Sequence, residues 1–328
     1  MDRPVGGKRL TVFLIVFFLA MTFLIRDAVS QDTYPNRPIT MVVVFGPGMI
    51  DTVVRVLCKA AEKELGQPIM IDNKPGAAGT IGTNYVLKAK PDGYTLGALA
   101  TGAYTIHPHL KKLAYNPLTE ALDITTIIRY PFGIAVRKDA AWNTYEDIIT
   151  YARNNPGKFT YATAGYGIPQ HICMERIALK ERIKWTLVPF KAGGESVISC
   201  LGGHTDATIQ GPLDVIPQVK AGKLKLLLAI DEKRWGALPQ VPAIMEKGYD
   251  FCTRTYFSVS APKGIPENIA KKVEAAFNKA KRDPSFIQTL NTFMVDVGTM
   301  SGKEYSDWWK KEYYIMQEVV KTLGLEDR

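Results

Sequence analysis

The chain has 328 residues, of which 46% are hydrophobic, 22% charged and 10% aromatic. These fractions are typical of a folded globular protein and exclude a disordered chain, a collagen-like repeat and a polytopic membrane protein. The length predicts about two domains. The formal net charge of +9 leaves nucleic acids, membrane surfaces and small anions open as partners.

The first thirty residues have the layout of an export signal. Basic residues between Arg3 and Arg9 precede an apolar run over residues 10–25, and Ala28-Val29-Ser30 places small residues before a cut. The apolar run is shorter than the roughly 20 residues that a spanning helix needs. We therefore predict a signal peptide over residues 1–30 and a periplasmic protein, with a retained anchor as the alternative. Cleavage would lower the net charge to +7.

Short apolar runs alternate with amphipathic stretches in the first part of the mature chain. The pattern predicts strands at 39–45, 69–71 and 94–99, separated by helices at 51–65 and 81–89. Such a βαβαβ order implies a mainly parallel sheet with helices on both faces.

The same alternation restarts after residue 132 and then returns in a tail. Predicted strands lie at 133–136, 159–162, 186–189, 207–209, 224–230 and 256–261. Predicted helices lie at 144–154, 169–180, 194–201, 213–221, 267–282 and 303–323. We expect an α/β protein with two lobes, residues 31–134 with 255–328 and residues 135–254, joined by crossovers near 133–138 and 254–262. Two such lobes form a cleft between them.

Four glycine-rich loops connect predicted strands to predicted helices. They are Phe45-Gly46-Pro47-Gly48, Lys74-Pro75-Gly76-Ala77-Ala78-Gly79, Thr163-Ala164-Gly165-Tyr166-Gly167 and Lys191-Ala192-Gly193-Gly194. Backbone N–H groups and the positive end of the helix dipole at such loops receive anions. Glycine is also an ordinary turn residue, so one such loop would mean little. Four loops in corresponding places predict a cleft for carboxylates or phosphates.

The sequence carries no recognised catalytic signature. GxxxxGK[ST], GxSxG and HExxH are all missing, and the basic residues form no stripe interleaved with aromatic residues, which argues against nucleic acid. His107 and His109 are predicted to lie in a turn with exposed imidazoles rather than in a zinc site. We predict no enzyme, no metal and no cofactor. The alternative is a secreted hydrolase that uses His171 with Thr163 or Cys173.

The four cysteines are scattered and form no CxxC pair. In an exported protein, Cys173 and Cys200 could be bridged. The favoured reading is isolated buried thiols that behave as small hydrophobic residues.

Several motifs along the chain resemble one family of receptors. They include Tyr34-Pro35-Asn36-Arg37-Pro38-Ile39, Asn73-Lys74-Pro75-Gly76-Ala77-Ala78-Gly79, Pro91-Asp92-Gly93-Tyr94-Thr95-Leu96, Asn155-Pro156-Gly157-Lys158-Phe159-Thr160-Tyr161-Ala162 and Val188-Pro189-Phe190-Lys191-Ala192-Gly193-Gly194. From about residue 34 to the C-terminus, the chain is similar to the solute receptors of tripartite tricarboxylate transporters, also called Bug proteins.

The resemblance implies a type II periplasmic-binding-protein fold and no catalysis. It implies capture of a small organic acid and its delivery to the permease subunits of a tripartite tricarboxylate-type transporter, by a protein expected to be a monomer. A receptor that docks on a sensor kinase is the alternative. The ligand-binding residues it implies are Phe45, Gly46, Pro47, Gly48, Gly76, Ala77, Ala78, Thr101, Thr163, Gly165, Gln170, His171, Gln210, Gly211 and Pro212.

The first glycine-rich loop departs from the family pattern P-F-x-P-G-G-x-T-D. Here Gly48-Met49-Ile50-Asp51 is one residue shorter and lacks the second glycine and the threonine. The change makes the rim of the cleft more apolar. It predicts a more hydrophobic acid, such as an aromatic or longer-chain one, or else the loss of high-affinity binding. Asp51 either interacts with the helix dipole or organises the loop.

Overall fold

The structure is a computed structural model that describes residues 34–326. The predicted signal peptide, residues 1–30, lies outside the described residues. Over residues 34–326, no helix combines the length and the apolar character needed to cross a bilayer. The described chain is an α/β protein built on two sheets.

Two separate β-sheets organise the fold. In chain order the strands are β1 (Ile39–Val43), β2 (Ile69–Asn73), β3 (Thr95–Ala100), β4 (Ala121–Tyr130), β5 (Phe132–Arg137), β6 (Thr160–Thr163), β7 (Thr186–Pro189), β8 (Ala207–Gln210), β9 (Leu224–Ile230), β10 (Thr255–Pro262) and β11 (Asp296–Val297). The strand order is β11-β4-β10-β3-β1-β2 in the first sheet and β7-β6-β8-β5-β9 in the second. The predicted two-lobed α/β architecture is therefore confirmed.

Helices follow most of the strands. They are α1 (Met49–Leu65), α2 (Thr80–Leu87), α3 (Thr101–Thr105), α4 (His107–Leu110), α5 (Pro117–Glu120), α6 (Tyr145–Asn154), α7 (Pro169–Glu181), α8 (Gly193–Leu201), α9 (Pro212–Lys220), α10 (Glu267–Ala280), α11 (Pro284–Phe293) and α12 (Gly302–Thr322). The predicted helices agree with these bounds to within a few residues. The short helices α3 to α5 and helix α11 were not predicted.

Strand direction separates the βαβ units from the strands that join the two sheets. β1 pairs in parallel with β2 and β3, and β6 pairs in parallel with β7 and β8. In contrast, β5 and β10 are antiparallel to their neighbours. The chain passes from the first sheet to the second between Tyr130 and Phe132 and returns before Thr255. β5 and β10 are therefore the first strands that the chain forms after each passage from the other sheet.

Local sequence explains where the long helices begin and end. Val53, Val54, Leu57 and Ala61 form the buried stripe of α1, and Gly66 ends that helix at φ 70°. Full burial of a Val or Leu side chain contributes about 1.5–3 kcal/mol each, so this stripe anchors α1 to the first sheet. Helix α6 begins at a capping box, in which the Thr144 hydroxyl accepts from the backbone N–H of Asp147 at 3.2 Å.

Strand β4 could not be seen in the hydrophobic pattern because its buried residues are partly polar. Asp123, Thr125 and Thr126 lie in its middle and are all buried. Their polar atoms are satisfied by distant partners, such as Trp309 Nε1, which donates to Asp123 Oδ2 at 2.6 Å. A buried polar group is tolerated when it is hydrogen-bonded, and those partners come from the C-terminal tail.

The two faces of the second sheet hold separate cores. Cys173 packs with Ile134 and Val136 on one face, whereas Cys200 packs with Ala135 on the other. Successive strand residues point to opposite faces, so the sheet itself separates the two thiols. All four cysteines are free in the structure. The geometry favours isolated buried thiols over a bridge between Cys173 and Cys200.

Ion pairs and apolar packing connect the two sheets near the passages. Arg129, at the end of β4, donates to both carboxylate oxygens of Asp231, which follows β9, and to Asp296 Oδ2 at 3.2 Å. Met316 of α12 packs in one apolar cluster with Ile172 of α7. The C-terminal helix therefore contacts both lobes.

Candidate ligand-binding cleft

A cavity of about 680 Å³ lies between the two sheets. Most of its wall residues lie at or just after the carboxyl ends of β1, β2, β3, β6, β7 and β8, and the others lie on β4, β5 and β10. Ligands of open α/β sheets bind at this edge, where the strands end and the helices begin. The cavity lies where the sequence predicts a cleft between two lobes, and it is large enough for a small-molecule ligand.

Four helices of eight or more residues begin at this cavity, and none of them carries a side-chain cap. Their N-cap residues are Gly48, Gly79, Ile168 and Ala192, and all four line the cavity. Helix α9 is also uncapped and contributes Asp214 of its first turn to the wall. Among the helices of this length that begin elsewhere, three are capped by the side chains of Thr144, Asp283 and Ser301, whereas α10, which follows Pro266, carries no side-chain cap. An uncapped helix start leaves N–H donors and the positive dipole end available to an anion. The cavity therefore presents backbone donors from both lobes.

The turn after β2 is held in a strained conformation. Gly76, Ala77, Ala78 and Gly79 have φ values of 127°, 46°, 53° and 92°. A left-handed conformation costs a residue with a Cβ atom about 1–2 kcal/mol. Gly76 and Ala78 line the cavity. Strain of this kind persists where the surrounding structure enforces it and clusters at ligand-contact loops.

Asp51 organises the first glycine-rich loop. Its Oδ1 accepts from Asn73 Nδ2 at 2.8 Å, and its Oδ2 accepts from Arg55 Nε at 2.8 Å. Asn73 Nδ2 also donates to the carbonyl of Phe45 at 2.9 Å, so the end of β2 is tied to the loop. Burial by itself would raise the pKa of Asp51, but the hydrogen bonds from Arg55 and Asn73 outweigh it and lower that pKa. Of the two predicted roles, the structure supports the organising one.

Few side chains in the cavity wall carry charge. Lys191 lines the cavity and is exposed, and Asp214 lines it from the first turn of α9. His107 also lines it, and burial lowers the pKa of this imidazole to about 4, so that it is neutral at pH 7. His107 is only 6% exposed, so the predicted turn with exposed imidazoles is wrong for this residue. Anion binding here would depend mainly on backbone dipoles.

Aromatic side chains form much of the remaining wall. Phe45, Tyr130, Phe132, Tyr166 and Phe257 all line the cavity. The rings of Phe45 and Phe257 meet edge to face at 5.9 Å, and those of Tyr130 and Phe132 do so at 5.1 Å. Such rings offer apolar surface to the body of a ligand.

The predicted site residues divide into two groups. Those that line the cavity are Phe45, Gly46, Pro47, Gly48, Gly76, Ala78, Gly165, Gln170 and Gln210. Those that do not line it are Ala77, Thr101, Thr163, His171, Gly211 and Pro212. The second group belongs to the same loops but lies behind the surface of the cleft.

Hydrogen bonds show why three of these side chains lie behind the wall. Thr101 Oγ1 donates to the carbonyl of Tyr256 at 3.0 Å. Thr163 Oγ1 donates to the carbonyl of Gly165 at 2.6 Å and holds that loop in shape. His171 Nδ1 accepts from the N–H of Gly167 at 3.1 Å. These side chains position the loops that face the cavity.

The other three residues are displaced by the backbone or its neighbours. Ala77 lies inside the strained turn, between the two residues that face the cavity. Gly211 packs under Tyr130, since a Cβ atom there would lie 2.4 Å from the tyrosine hydroxyl oxygen. Pro212 lines a separate groove near Arg129.

Sequence reasoning missed several wall residues. Tyr130, Phe132 and Phe257 lie on β4, β5 and β10, the strands next to the passages between the sheets. No local motif marks them, because their position depends on strand pairing across the chain. Asp214 follows the predicted Gln210–Pro212 segment by two residues, and its place in the first turn of a helix was the available signal.

The three residues named for the hydrolase alternative do not form a nucleophile–base pair in the structure. Burial lowers the pKa of His171 to about 4 and raises that of the Cys173 thiol to about 12. Among residues 34–326, no hydrogen bond joins His171 to Thr163 or Cys173. A nucleophile needs such a contact with its base. Within the same range, no cluster of His, Cys, Asp and Glu is arranged to hold a metal ion.

Known proteins share both the sequence and the fold. Residues 53–325 match the tripartite tricarboxylate transporter family receptor profile. A protein from the gbd 5′ region of Cupriavidus necator is 34% identical over 297 residues, covering 90% of each chain. The structure of the periplasmic binding protein BugD is 28% identical, with a TM-score of 0.76 over 90% of this chain and 100% of BugD. An R. palustris protein solved with adipate is 26% identical, with a TM-score of 0.79 over 90% of this chain and 100% of its own.

The family profile spans most of the chain, and the relatives are matched over nearly their whole length. The two solved structures share the two-lobed arrangement that carries the cleft. The resemblance found in the motifs is thereby confirmed. The chain belongs to the tripartite tricarboxylate transporter receptor family, the Bug-type periplasmic solute-binding proteins.

Proposed function

We propose that this protein captures a small organic acid in the cleft between its lobes and delivers it to the permease subunits of a tripartite tricarboxylate-type transporter. The observation that carries the proposal is the convergence of four uncapped helix starts, two from each lobe, on one cavity. A carboxylate placed there accepts hydrogen bonds from backbone N–H groups that have no side-chain cap. The relative solved with adipate supports a carboxylate as ligand.

The lobes we propose are residues 31–134 with 255–328 and residues 135–254. Loops of both contribute to the cavity, so hinge closure would bury the ligand and exclude water. The direct ligand contacts would be the predicted residues that line the wall, and Thr101, Thr163 and His171 would hold the loops behind it. The protein would act as a monomer, after export directed by residues 1–30.

The body of the ligand would be apolar. Met49 and Ile50 line the cavity at the shortened first loop, and five aromatic side chains face the same space. Burial of apolar ligand surface contributes about 25 cal/mol per Å². An aromatic or longer-chain acid therefore fits the wall better than a small, highly charged tricarboxylate.

No catalytic step is proposed. His171 and Cys173 lie behind the wall, and their pKa values are shifted away from those of a base and a nucleophile. A receptor that docks on a sensor kinase would use the same ligand-bound form. Uptake of labelled ligand by cells with and without the receptor distinguishes the two roles, because only a transport receptor is needed for uptake.

Calorimetric titration tests ligand capture. We expect binding from a panel of dicarboxylates, aromatic acids and medium-chain monocarboxylates, and no binding from the corresponding primary amides, which lack the charge. Gly193→Ala should weaken binding, because its new Cβ would lie 2.7 Å from Gln210 Oε1 at the wall. Gly236→Ala is the matched control, since no atom lies within 4 Å of its Cβ position. Silence across the acids, or equal binding of acids and amides, would overturn the proposal.

A further inference from the structure

The second-lobe wall of the cavity contains a carboxylate that an anion receptor would not be expected to keep. Asp214 lines the cavity close to the loop that carries Lys191. A bare carboxylate in this place repels the carboxylates of a ligand. The presence of Asp214 therefore indicates that the part of the ligand next to it is not a carboxylate.

The Asp214 side chain is not used to build the fold around it. Helix α9 begins at Gly211 without a side-chain cap, so the carboxylate of Asp214 does not cap its own helix. Its hydrogen-bond partner is the Tyr130 hydroxyl, which donates to Oδ2 at a long 3.5 Å. Burial raises the pKa of Asp214, and the Tyr130 contact opposes this rise only in part. Among the described residues, none forms an ion pair with this carboxylate.

Asp214 and Gly193 line the cavity side by side. A Cβ atom on Gly193 would lie 3.5 Å from Asp214 Oδ2, in van der Waals contact with that oxygen. A half-buried carboxylate without a cation is costly, and a ligand that brings a positively charged donor recovers that cost.

We propose that Asp214 is a specificity-determining residue that selects an organic acid bearing a protonated amino group over the same acid without it. The proposal rests on the proposed function, because the acid group itself is held at the uncapped helix starts. Asp214 and Tyr130 then face the ammonium group, while the aromatic wall contacts the ligand body. The ligand class is an amino acid with an apolar or extended side chain.

Matched pairs of ligands test the proposal directly. The pairs are aspartate and succinate, 2-aminoadipate and adipate, leucine and 4-methylpentanoate, and phenylalanine and 3-phenylpropionate. Within each pair, a hydrogen atom replaces the amino group. We expect calorimetry at pH 7 to show at least one amino acid that binds about 10- to 100-fold more tightly than its partner, the range for a charged hydrogen bond.

The Asp214→Asn variant keeps the size of the side chain and removes its charge. It should erase the preference within the pair, weakening the amino acid while leaving the deaminated acid unchanged or bound more tightly. Asp250→Asn controls for the loss of one charge, because that carboxylate is 88% exposed and does not line this cavity. It should keep the preference. Thermal unfolding confirms that both variants are folded.

The remaining outcomes separate the two proposals. If deaminated acids bind as well as or better than amino acids, the inference about Asp214 fails and the proposed function stands. The inference also fails if Asp214→Asn weakens both members of a pair equally, because that is a structural effect. If the protein binds the corresponding 2-hydroxy acid more tightly than the amino acid, Asp214 does not select for an ammonium group and the inference fails. Silence of every acid overturns the proposed function and the inference with it.

Discussion

The buried carboxylate of Asp123 should make the stability of the first lobe depend on pH in an unusual direction. Asp123 Oδ2 accepts from Trp309 Nε1 at 2.6 Å, and Oδ1 accepts from Ser260 Oγ at 2.7 Å. Burial raises the pKa of Asp123 from 3.8 to about 6, because it disfavours the charged form more than the two hydrogen bonds favour it.

The sign of the effect follows from the number of protons bound. Between pH 3.8 and about 6, the folded protein keeps a proton on Asp123 that the unfolded chain has lost. The stabilising contribution of Asp123 is therefore complete below pH 3.8 and is lost as the pH rises to about 6. A shift of this size corresponds to about 3 kcal/mol of unfolding free energy.

The Asp123→Asn variant removes this ionisation. Asparagine keeps an oxygen for Trp309, and its amide can donate to Ser260 Oγ. We expect the unfolding free energy of the variant, minus that of the natural protein, to rise by about 2–2.5 kcal/mol between pH 4 and pH 7, because a small part of the effect has already appeared at pH 4.

Urea unfolding followed by tryptophan fluorescence at pH 4, 5, 6 and 7 measures this difference. Asp139→Asn, an exposed carboxylate, controls for the loss of one negative charge. Taking the difference between two proteins cancels the other titrating groups, such as His107 and His171. A difference for Asp123→Asn that stays constant from pH 4 to pH 7 would refute the reasoning.

Three further substitutions test the hinge and the cleft. Arg129→Met leaves the carboxylate of Asp231 buried without its cationic partner. The substitution should lower the unfolding free energy, measured by urea unfolding, by about 3–5 kcal/mol, and a loss below about 1 kcal/mol contradicts the prediction. Gly211→Ala places a Cβ atom 2.4 Å from the Tyr130 ring and should cost about 1–3 kcal/mol, so an unchanged thermal midpoint argues against that packing. Lys191→Gln should weaken binding of any acid ligand severalfold at low salt, measured by calorimetry. The difference in affinity between the variant and the natural protein should shrink as the salt concentration rises, and a difference that does not depend on salt excludes an electrostatic role for Lys191.

The βα units and the glycine-rich loops could be predicted from the sequence because their signals are local. The stripe of Val53, Val54 and Leu57 repeats at the helical period, and Gly66 ends α1 where the chain turns left-handed. Thr144 and Asp147, three residues apart, form a capping box at the start of α6. Such features depend on residues within one or two turns of each other.

The cleft wall and the buried polar groups of the cores depend on pairs that are distant in the chain. Tyr130 and Asp214 meet across 84 positions, and Trp309 reaches Asp123 across 186. The opposite faces of the second sheet that hold Cys173 and Cys200 likewise follow from the strand register. No local pattern carries this information.

The sequence by itself determined the α/β class, the family and most of the loops that line the cavity, since turn chemistry and hydrophobic period act over short stretches. Only the tertiary structure decided that His107 is buried and neutral, that Asp51 ties β2 to the first loop, and that Asp214 lines the cavity. The physical reason is that burial and charge pairing depend on the environment of a side chain, and residues that are distant in the sequence form that environment. A side chain enters it only when the chain has folded.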